Sequence, residues 1–292
     1  MFRFLKTSTS KYCQGCFLTP LFYTILRKDK YFYMLQLISL ISGSSGNSSL
    51  VTDGKTNILI DCGTSGKRLC ELLEKAGIPP QSLSAVLITH EHIDHTKGAG
   101  IISRKFNLPV YATRGTHSAM NIGQISEENI VFVEPDAEFE INDISLTPFL
   151  IPHDAIEPCG YCFTDGKEKA AIATDIGVMS NSLFSRISGS RQIILESNHD
   201  VDMLRFGEYP YPLKQRILSD VGHLSNVAAA QTAVRLVQCG TEQIMLGHLS
   251  DKNNLPEIAM METYNLLNDN GISVGKDVTL QVAERYDITR FI

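Results

Sequence analysis

The chain has 292 residues, 43% of them apolar and 20% charged, a composition that can fill a hydrophobic core and that excludes a disordered polyelectrolyte. Its longest apolar run, Cys16 to Leu26, is 11 residues and is broken by Pro20, too short to cross a bilayer. From Met34 onward 20 basic residues stand against 31 acidic ones, a balance of −11 that gives no broad footprint for nonspecific nucleic-acid binding.

Residues 1–33 differ from the rest, with six of the 26 Lys and Arg and a single acid, Asp29. Arg27-Lys28-Asp29-Lys30 follows the apolar stretch where a signal peptide would carry small residues, so this segment is expected to be a leader outside the fold. One domain is expected over 34–292. Cys13 and Cys16 form a CxxC, but one such pair cannot close a tetrahedral zinc site. The distant Cys159 and Cys162 sit in the strand-like alternation Tyr161-Cys162-Phe163. Seven cysteines, an odd number in a chain of this length, are expected to be reduced thiols of a cytoplasmic protein that enters no membrane.

In chain order, the spacing predicts strands over 35–41 and 49–52, split by the Ser- and Gly-rich turn 42–48, and a third over 56–60 that ends at Asp61. Leu69, Leu72, Leu73 and Ala76 then fall at helical spacing, with Ser65 as the cap and Gly77 and Pro79 as the stop. A buried strand over 85–89 runs into a histidine cluster. Further strands are predicted over 109–112, 130–133, 144–150, 160–164, 169–174, 192–196, 243–246 and 278–282. Helices are predicted near 96–107, 178–187, 210–219, 225–238 and 256–269. Strand pairs followed by strand–helix alternation predict two mixed sheets packed together with helices outside.

The chemistry concentrates in His90-Glu91-His92-Ile93-Asp94-His95, where a strand gives way to a helix-compatible segment. Alternation along an extended chain aims His90 and His92 the same way, and the turn re-aims Asp94 and His95. Four ligand-type residues in six positions would leave polar groups unsatisfied if they were merely buried, so one short loop is expected to feed two metal ions. His117 has no comparable setting and reads as a solvated helix residue. His199 is a candidate substrate contact.

This motif, after a strand and with Asp61 ending a neighbouring strand, resembles the metallo-β-lactamase superfamily, over 34–292. The resemblance implies a four-layer αββα sandwich of class α/β. It also implies that His90, His92 and His153 hold one metal, that Asp94, His95 and His248 hold the other, and that Asp175 bridges them. The downstream ligands lie in Ile151-Pro152-His153, Ala173-Thr174-Asp175 and Gly247-His248-Leu249-Ser250. Asp61 is expected to orient the cluster by hydrogen bonds. A bridging carboxylate, in place of the cysteine common in the antibiotic-degrading branch, argues against β-lactam hydrolysis.

The order Ile194-Leu195-Glu196-Ser197-Asn198, then Ser219 through Asn226, then Gly247-His248-Leu249-Ser250 is similar to the tRNase Z-like phosphodiesterases. There the glutamate holds the middle histidine, which implies that Glu196 holds His223 and that His223 protonates a leaving group. Asp94, Glu196 and His223 are thus the expected catalytic residues, with His223, Ser225, Asn226 and Lys214 as substrate contacts. The turn 42–48, Tyr209-Pro210-Tyr211-Pro212-Leu213-Lys214 and Asn253-Asn254 resemble the YycJ (WalJ) group of bacterial proteins, a resemblance that implies a DNA exonuclease. The gap from His153 to Asp175 leaves no room for a tRNA-clamping arm, and that from Glu196 to His223 none for a β-CASP insert.

The expected engine is a pair of divalent ions, zinc or manganese, about 3.5–4 Å apart and sharing a water of lowered pKa. Arg205, Phe206, Tyr209, Tyr211, Lys214 and Arg216 mix charge with stacking rings, as single-strand binders do. Two alternatives stay open: a phosphodiesterase of small cyclic nucleotides or cyclic sugar phosphates, favoured by the acidic balance, and a catalytically silent metal-binding module. The oligomeric state is not fixed by the sequence.

Overall fold

The computed structural model of the protein describes residues 34–291, so the leader expected over 1–33, with Cys13 and Cys16, lies outside the described residues. Strands β1 (Gln36–Ile41), β2 (Ser48–Thr52), β3 (Asn57–Ile60), β4 (Leu83–Leu87), β5 (Val110–Ala112) and β6 (Ile130–Phe132) lie side by side in chain order. A second sheet follows in the same manner, from β7 (Phe139–Ile141), β8 (Ile144–Leu150), β9 (Cys159–Thr164) and β10 (Lys169–Ala173) to β11 (Gln192–Glu196), β12 (Gln243–Gly247) and β13 (Thr279–Val282). The last strand, β14 (Thr289–Arg290), returns to the first sheet beside β1, so that each sheet has seven strands among the described residues.

Alternate residues of one strand enter different apolar layers. Ile58 and Ile60 point between the sheets, where they meet Tyr161, Phe163, Ile172 and Ile194, whereas Leu59 points outward. On the second sheet Ile194 faces inward, with Ile193 and Leu195 on the outer face. Strands buried on both sides read as continuous apolar runs, and each fully buried Leu or Ile contributes about 1.5–3 kcal/mol.

Helices cover both outer faces. On the first sheet α1 (Gly66–Lys75) buries Leu69, Leu72 and Leu73, starts where Ser65 Oγ accepts from Arg68 N at 3.2 Å, and is followed by Gly77 with φ +72°. The single helix expected near 96–107 is two, α2 (Ile93–Thr96) and α3 (Ala99–Phe106). The break falls at Gly98, whose N–H turns to Cys62 O at 2.7 Å and where a Cβ would meet Thr64 O at 2.4 Å. Next comes α4 (Arg114–Ala119). The second sheet is covered by α5 (Asn181–Ile187), α8 (Asn226–Gln238) and α9 (Pro256–Asp269), with Leu183, Ala233, Leu236, Ala259 and Leu267 packed on it, and between β11 and α8 the chain forms two short helices, α6 (Val201–Phe206) and α7 (Tyr211–Ile217).

His117 of α4 is half-buried rather than solvated. Its Nε2 lies 3.1 Å from both Val110 O and Val131 O, so it ties the helix across β5 and β6, and burial lowers its pKa.

Candidate metal centre

The registers bring distant residues to one edge of the sandwich. In the first sheet β3 and β4 are parallel with Ile60 opposite Leu87, so Asp61 and the segment from Thr89 to His95 emerge together. In the second, β10, β11 and β12 are parallel, with Ala173 opposite Leu195 and Leu195 opposite Leu246. Asp175, Glu196 and His248 therefore leave at the same edge. β8 runs the same way as β10, both being antiparallel to β9, and adds His153.

Three of these residues, Asp61 (φ +57°), Asp175 (φ +60°) and His248 (φ +56°), are left-handed, a conformation that strains a non-glycine backbone and concentrates at functional sites. The loops that hold the histidines interlock through backbone bonds. Asn47 N donates to Asp94 O at 2.8 Å, Gly63 N to Asn47 O at 2.8 Å and Cys62 N to His95 O at 2.6 Å. A Cβ on Gly63 would meet Asp94 O at 1.8 Å, so only glycine permits this approach.

Four of the imidazoles are held through Nδ1 by the protein, with Nε2 turned toward the cluster. His95 Nδ1 donates to Asp61 Oδ2 at 2.7 Å. Thr89 Oγ1 donates to the same oxygen at 2.8 Å and accepts from His90 Nδ1 at 3.0 Å. Asp61 thus sets the tautomer of both rings, the orienting role expected of it. His153 Nδ1 donates to Gly222 O at 3.2 Å, and His248 Nδ1 to Glu196 Oε1 at 2.8 Å.

The bare atoms converge. His92 Nδ1 lies 3.1 Å from His90 Nε2 and 3.4 Å from His153 Nε2. Beside them, His95 Nε2 is 3.5 Å from Asp175 Oδ2 and 3.6 Å from Asp94 Oδ2, and His248 Nε2 is 3.8 Å from Asp94 Oδ2. Asp175 Oδ1 is 3.8 Å from His153 Nε2, so this carboxylate faces both groups. Asp175 Oδ2 and His248 Nε2 are buried without a hydrogen-bond partner. Lone pairs aimed at one another, with orphaned buried donors among carboxylates, are the donor set that a divalent cation satisfies. The residues therefore fit the metals that the fold implies.

Without cations, protons balance the charge. Burial disfavours a charged His95, but Asp175, Asp61 and Asp94 outweigh it and raise its pKa to about 9. His248 is likewise raised, against burial, by Asp175, Asp94 and Glu196. Asp94, although burial opposes ionisation, is held below the usual carboxylate range by His95 and His248. His90, buried and flanked by His95, His153 and His92, is pushed down.

Glu196 is fully buried and accepts four hydrogen bonds. His223 Nδ1 and His248 Nδ1 both reach Oε1 at 2.8 Å, while Ile176 N at 2.7 Å and Leu224 N at 3.1 Å reach Oε2. Despite its burial, the histidines keep its pKa below the usual range, His223 first among them. The sequence pattern pointed to the bond with His223, and the second hold on a metal-facing histidine was missed. Asn47 was also missed: its Nδ2 lies 3.1 Å from His95 Nε2.

A cleft of about 220 Å³ opens over the cluster, bordered by His92, Asp94, His153, His223 and His248 and by Tyr209, Leu213 and Arg216. Three expected substrate contacts point elsewhere and are not on its wall. Ser225 Oγ caps α8 by accepting from Ala228 N, and Asn226 is buried between Ser197 and Asn254. Lys214 Nζ donates to Arg205 O at 2.8 Å and Gly207 O at 2.7 Å. His199 is buried as well, outside the wall, with its pKa lowered by burial to about 4. Ser44, Asn198 and Ser250 line the cleft instead.

The model of the β-lactamase superfamily domain matches residues 56–249. Exodeoxyribonuclease YycJ of Bacillus anthracis is 41% identical over 240 residues, 81% of this chain and 90% of that protein. Exodeoxyribonuclease WalJ of Streptococcus pneumoniae is 38% identical over 242 residues, 82% of this chain and 90% of its own length. Among solved structures, the metallo-β-lactamase fold protein YhfI of Bacillus subtilis superposes with a TM-score of 0.63 at 17% identity, covering 88% of this chain and all of that one. The short form of human tRNase Z superposes at 0.57 with 15% identity, covering 87% and 98%. By its two helix-covered sheets, its matched domain and these relatives, the chain belongs to the metallo-β-lactamase superfamily.

Proposed function

We propose that the chain is a dinuclear metal-dependent phosphodiesterase that degrades DNA from an end. The observation that carries this reading is the seven-residue donor cluster with His223 set beside it, Nδ1 fixed on Glu196 and Nε2 left to the cleft. The naming of the 41%-identical relative as an exodeoxyribonuclease supports DNA as the substrate.

His90, His92 and His153 would hold one cation, Asp94, His95 and His248 the other, and Asp175 would serve both. Bound there, the cations would supply a water of lowered pKa and neutralise charge building on the phosphate. The imidazole and carboxylate donors suit zinc and manganese alike. The chain's own part is proton transfer and alignment: His223, its Nδ1–H on Glu196, carries a proton on Nε2 to the leaving oxygen. Exposed Phe206 and Tyr211 flank the cleft-lining Tyr209 and Arg216, rings and charge suited to a single strand. Location in the cytoplasm fits the five free cysteines among the described residues.

The test is incubation of the purified protein, loaded with manganese or zinc, with 5′- and 3′-labelled DNA and RNA and with cyclic nucleotides. Shortening of DNA from one end, by protein carrying close to two metals per chain, is the expected result. The small cleft and acidic balance favour a second reading, hydrolysis of a small phosphodiester. Intact DNA beside hydrolysed cyclic nucleotide would establish it.

A further inference from the structure

Arg216 is the only Lys or Arg bordering the cleft among the described residues. Its Nε donates to Asp154 Oδ2, and neither terminal amino group has a hydrogen-bond partner among the described residues. Asp154 Oδ1 in turn lies 3.4 Å from His153 Nε2, so one carboxylate separates the guanidinium from the metal cluster. Half of the Arg216 side chain and over a quarter of that of Asp154 are exposed, at 51% and 28%. Ion pairs this exposed contribute little, so the guanidinium can change partners at small expense.

We propose that Arg216 binds the phosphate next to the scissile one in a nucleic-acid strand, and that Asp154 holds the guanidinium in place between substrates. This rests on the phosphodiesterase reading. The two terminal amino groups, whose N–H bonds lie in the guanidinium plane, match the oxygens of a phosphate, which a lysine ammonium would hold less directionally. The scissile phosphate belongs among the histidines and carboxylates of the cluster. Arg216 feels the charge of Asp94 across the cleft but is hydrogen-bonded toward the cluster through Asp154. Asp154 stands between the guanidinium and His153 and so sets Arg216 beside the cluster, toward the neighbouring phosphate along the strand. Tyr209 and Leu213, on the same wall, offer a ring and an apolar face to the nucleoside between the two phosphates. Lys214 on the same helix cannot substitute, because its ammonium is committed to the turn between α6 and α7. A cyclic mononucleotide has no second phosphate, so this residue would favour a polymer over a small diester.

The experiment measures binding of a fluorescent single-stranded oligonucleotide with phosphorothioate ends to the manganese-loaded full chain, by anisotropy across a salt series. Arg216→Ala should bind roughly 10–100-fold more weakly, the worth of a hydrogen-bonded charge. Its slope of log Kd against log salt should fall by about one. Arg216→Lys should recover the slope but only part of the affinity, and Asp154→Asn should bind more tightly than the unaltered chain. Hydrolysis of bis(p-nitrophenyl) phosphate, which has one phosphate, should suffer at least tenfold less than oligonucleotide affinity. Unchanged affinity and slope in Arg216→Ala, or equal losses on both probes, would overturn the assignment. If the unaltered protein leaves the small diester and DNA uncut, the phosphodiesterase reading fails while the binding comparison still decides the role of Arg216.

Discussion

His223 and His248 are held by the same oxygen of one buried carboxylate, each through Nδ1 at 2.8 Å from Glu196 Oε1. One ring would bind metal through its other nitrogen, while the second faces the cleft. The proposed proton donor and a candidate metal ligand are thereby set relative to each other by a single group.

His223→Ala should retain the fold and both metals yet lose about 10²–10⁴-fold in kcat, the usual worth of a general acid. With p-nitrophenolate as leaving group the defect should shrink, because that group leaves unprotonated. Equal losses on both substrates would mean that His223 positions phosphate instead. From the sequence, Glu196→Gln is expected to be the milder change. The structure reverses that order, since a glutamine cannot accept from two imidazoles and two backbone N–H groups together. Elemental analysis of Glu196→Gln should show metal loss that His223→Ala does not.

The metal-free protein should be most stable near neutrality. His95 and His248 have folded pKa values raised above the ordinary 6.5, so their contribution is full below 6.5 and is lost as pH climbs through the raised values, about 9 for His95. His90 and His153 are depressed, so theirs is full above 6.5 and lost as pH falls below it. Melting temperatures of chelator-treated protein should decline from pH 6.5 to 9.5. A steady rise over that range would contradict the assignment. Metal uptake at pH 7 should release protons from His95 and His248, seen as a buffer-dependent heat in calorimetry.

Gly63→Ala tests the interlocked loops. The added methyl would meet Asp94 O at 1.8 Å and Asn47 N at 2.3 Å. Overpacking of this kind costs about 1–3 kcal/mol. Because the nearer of these atoms belongs to the loop of Asp94 and His95, and Asn47 is itself bonded to that loop, metal content should fall together with the melting temperature. A drop in stability with full metal content would show that the loop relaxes without moving its ligands.

A chain cut to residues 34–292 should keep its melting temperature and turnover, since the seven candidate donors and both seven-stranded sheets, as seen among the described residues, lie within that span. A large fall in either would show that residues 1–33 support the domain.

That the seven candidate donors converge was legible because four stand within six residues and the other three each follow an apolar strand, a pattern that survives without coordinates. Asp61 was legible for the same reason. Glu196 was read correctly as a partner of His223, but its second bond to His248 depends on the register of β11 against β12, which no local pattern carries. Asn47 lies in a turn whose Ser and Gly content signals only a bend. Ser225, Asn226 and Lys214 were misplaced because side chains near a motif can spend their polar groups on the protein itself. Strands β7 and β14, of three and two residues, are too short to show a period.

The two sheets deliver different halves of the donor set, His90 to His95 from the first and His153, Asp175 and His248 from the second. A cation held from both sides would act as a cross-link between segments far apart in sequence, closing loops that no disulfide closes among the described residues. The open edge of the sandwich, where strands merely end, would then be tied shut by the ions that serve the chemistry. Fraying at that edge and loss of activity would become one event, so the enzyme could not drift into a folded but slack form while it keeps its metals.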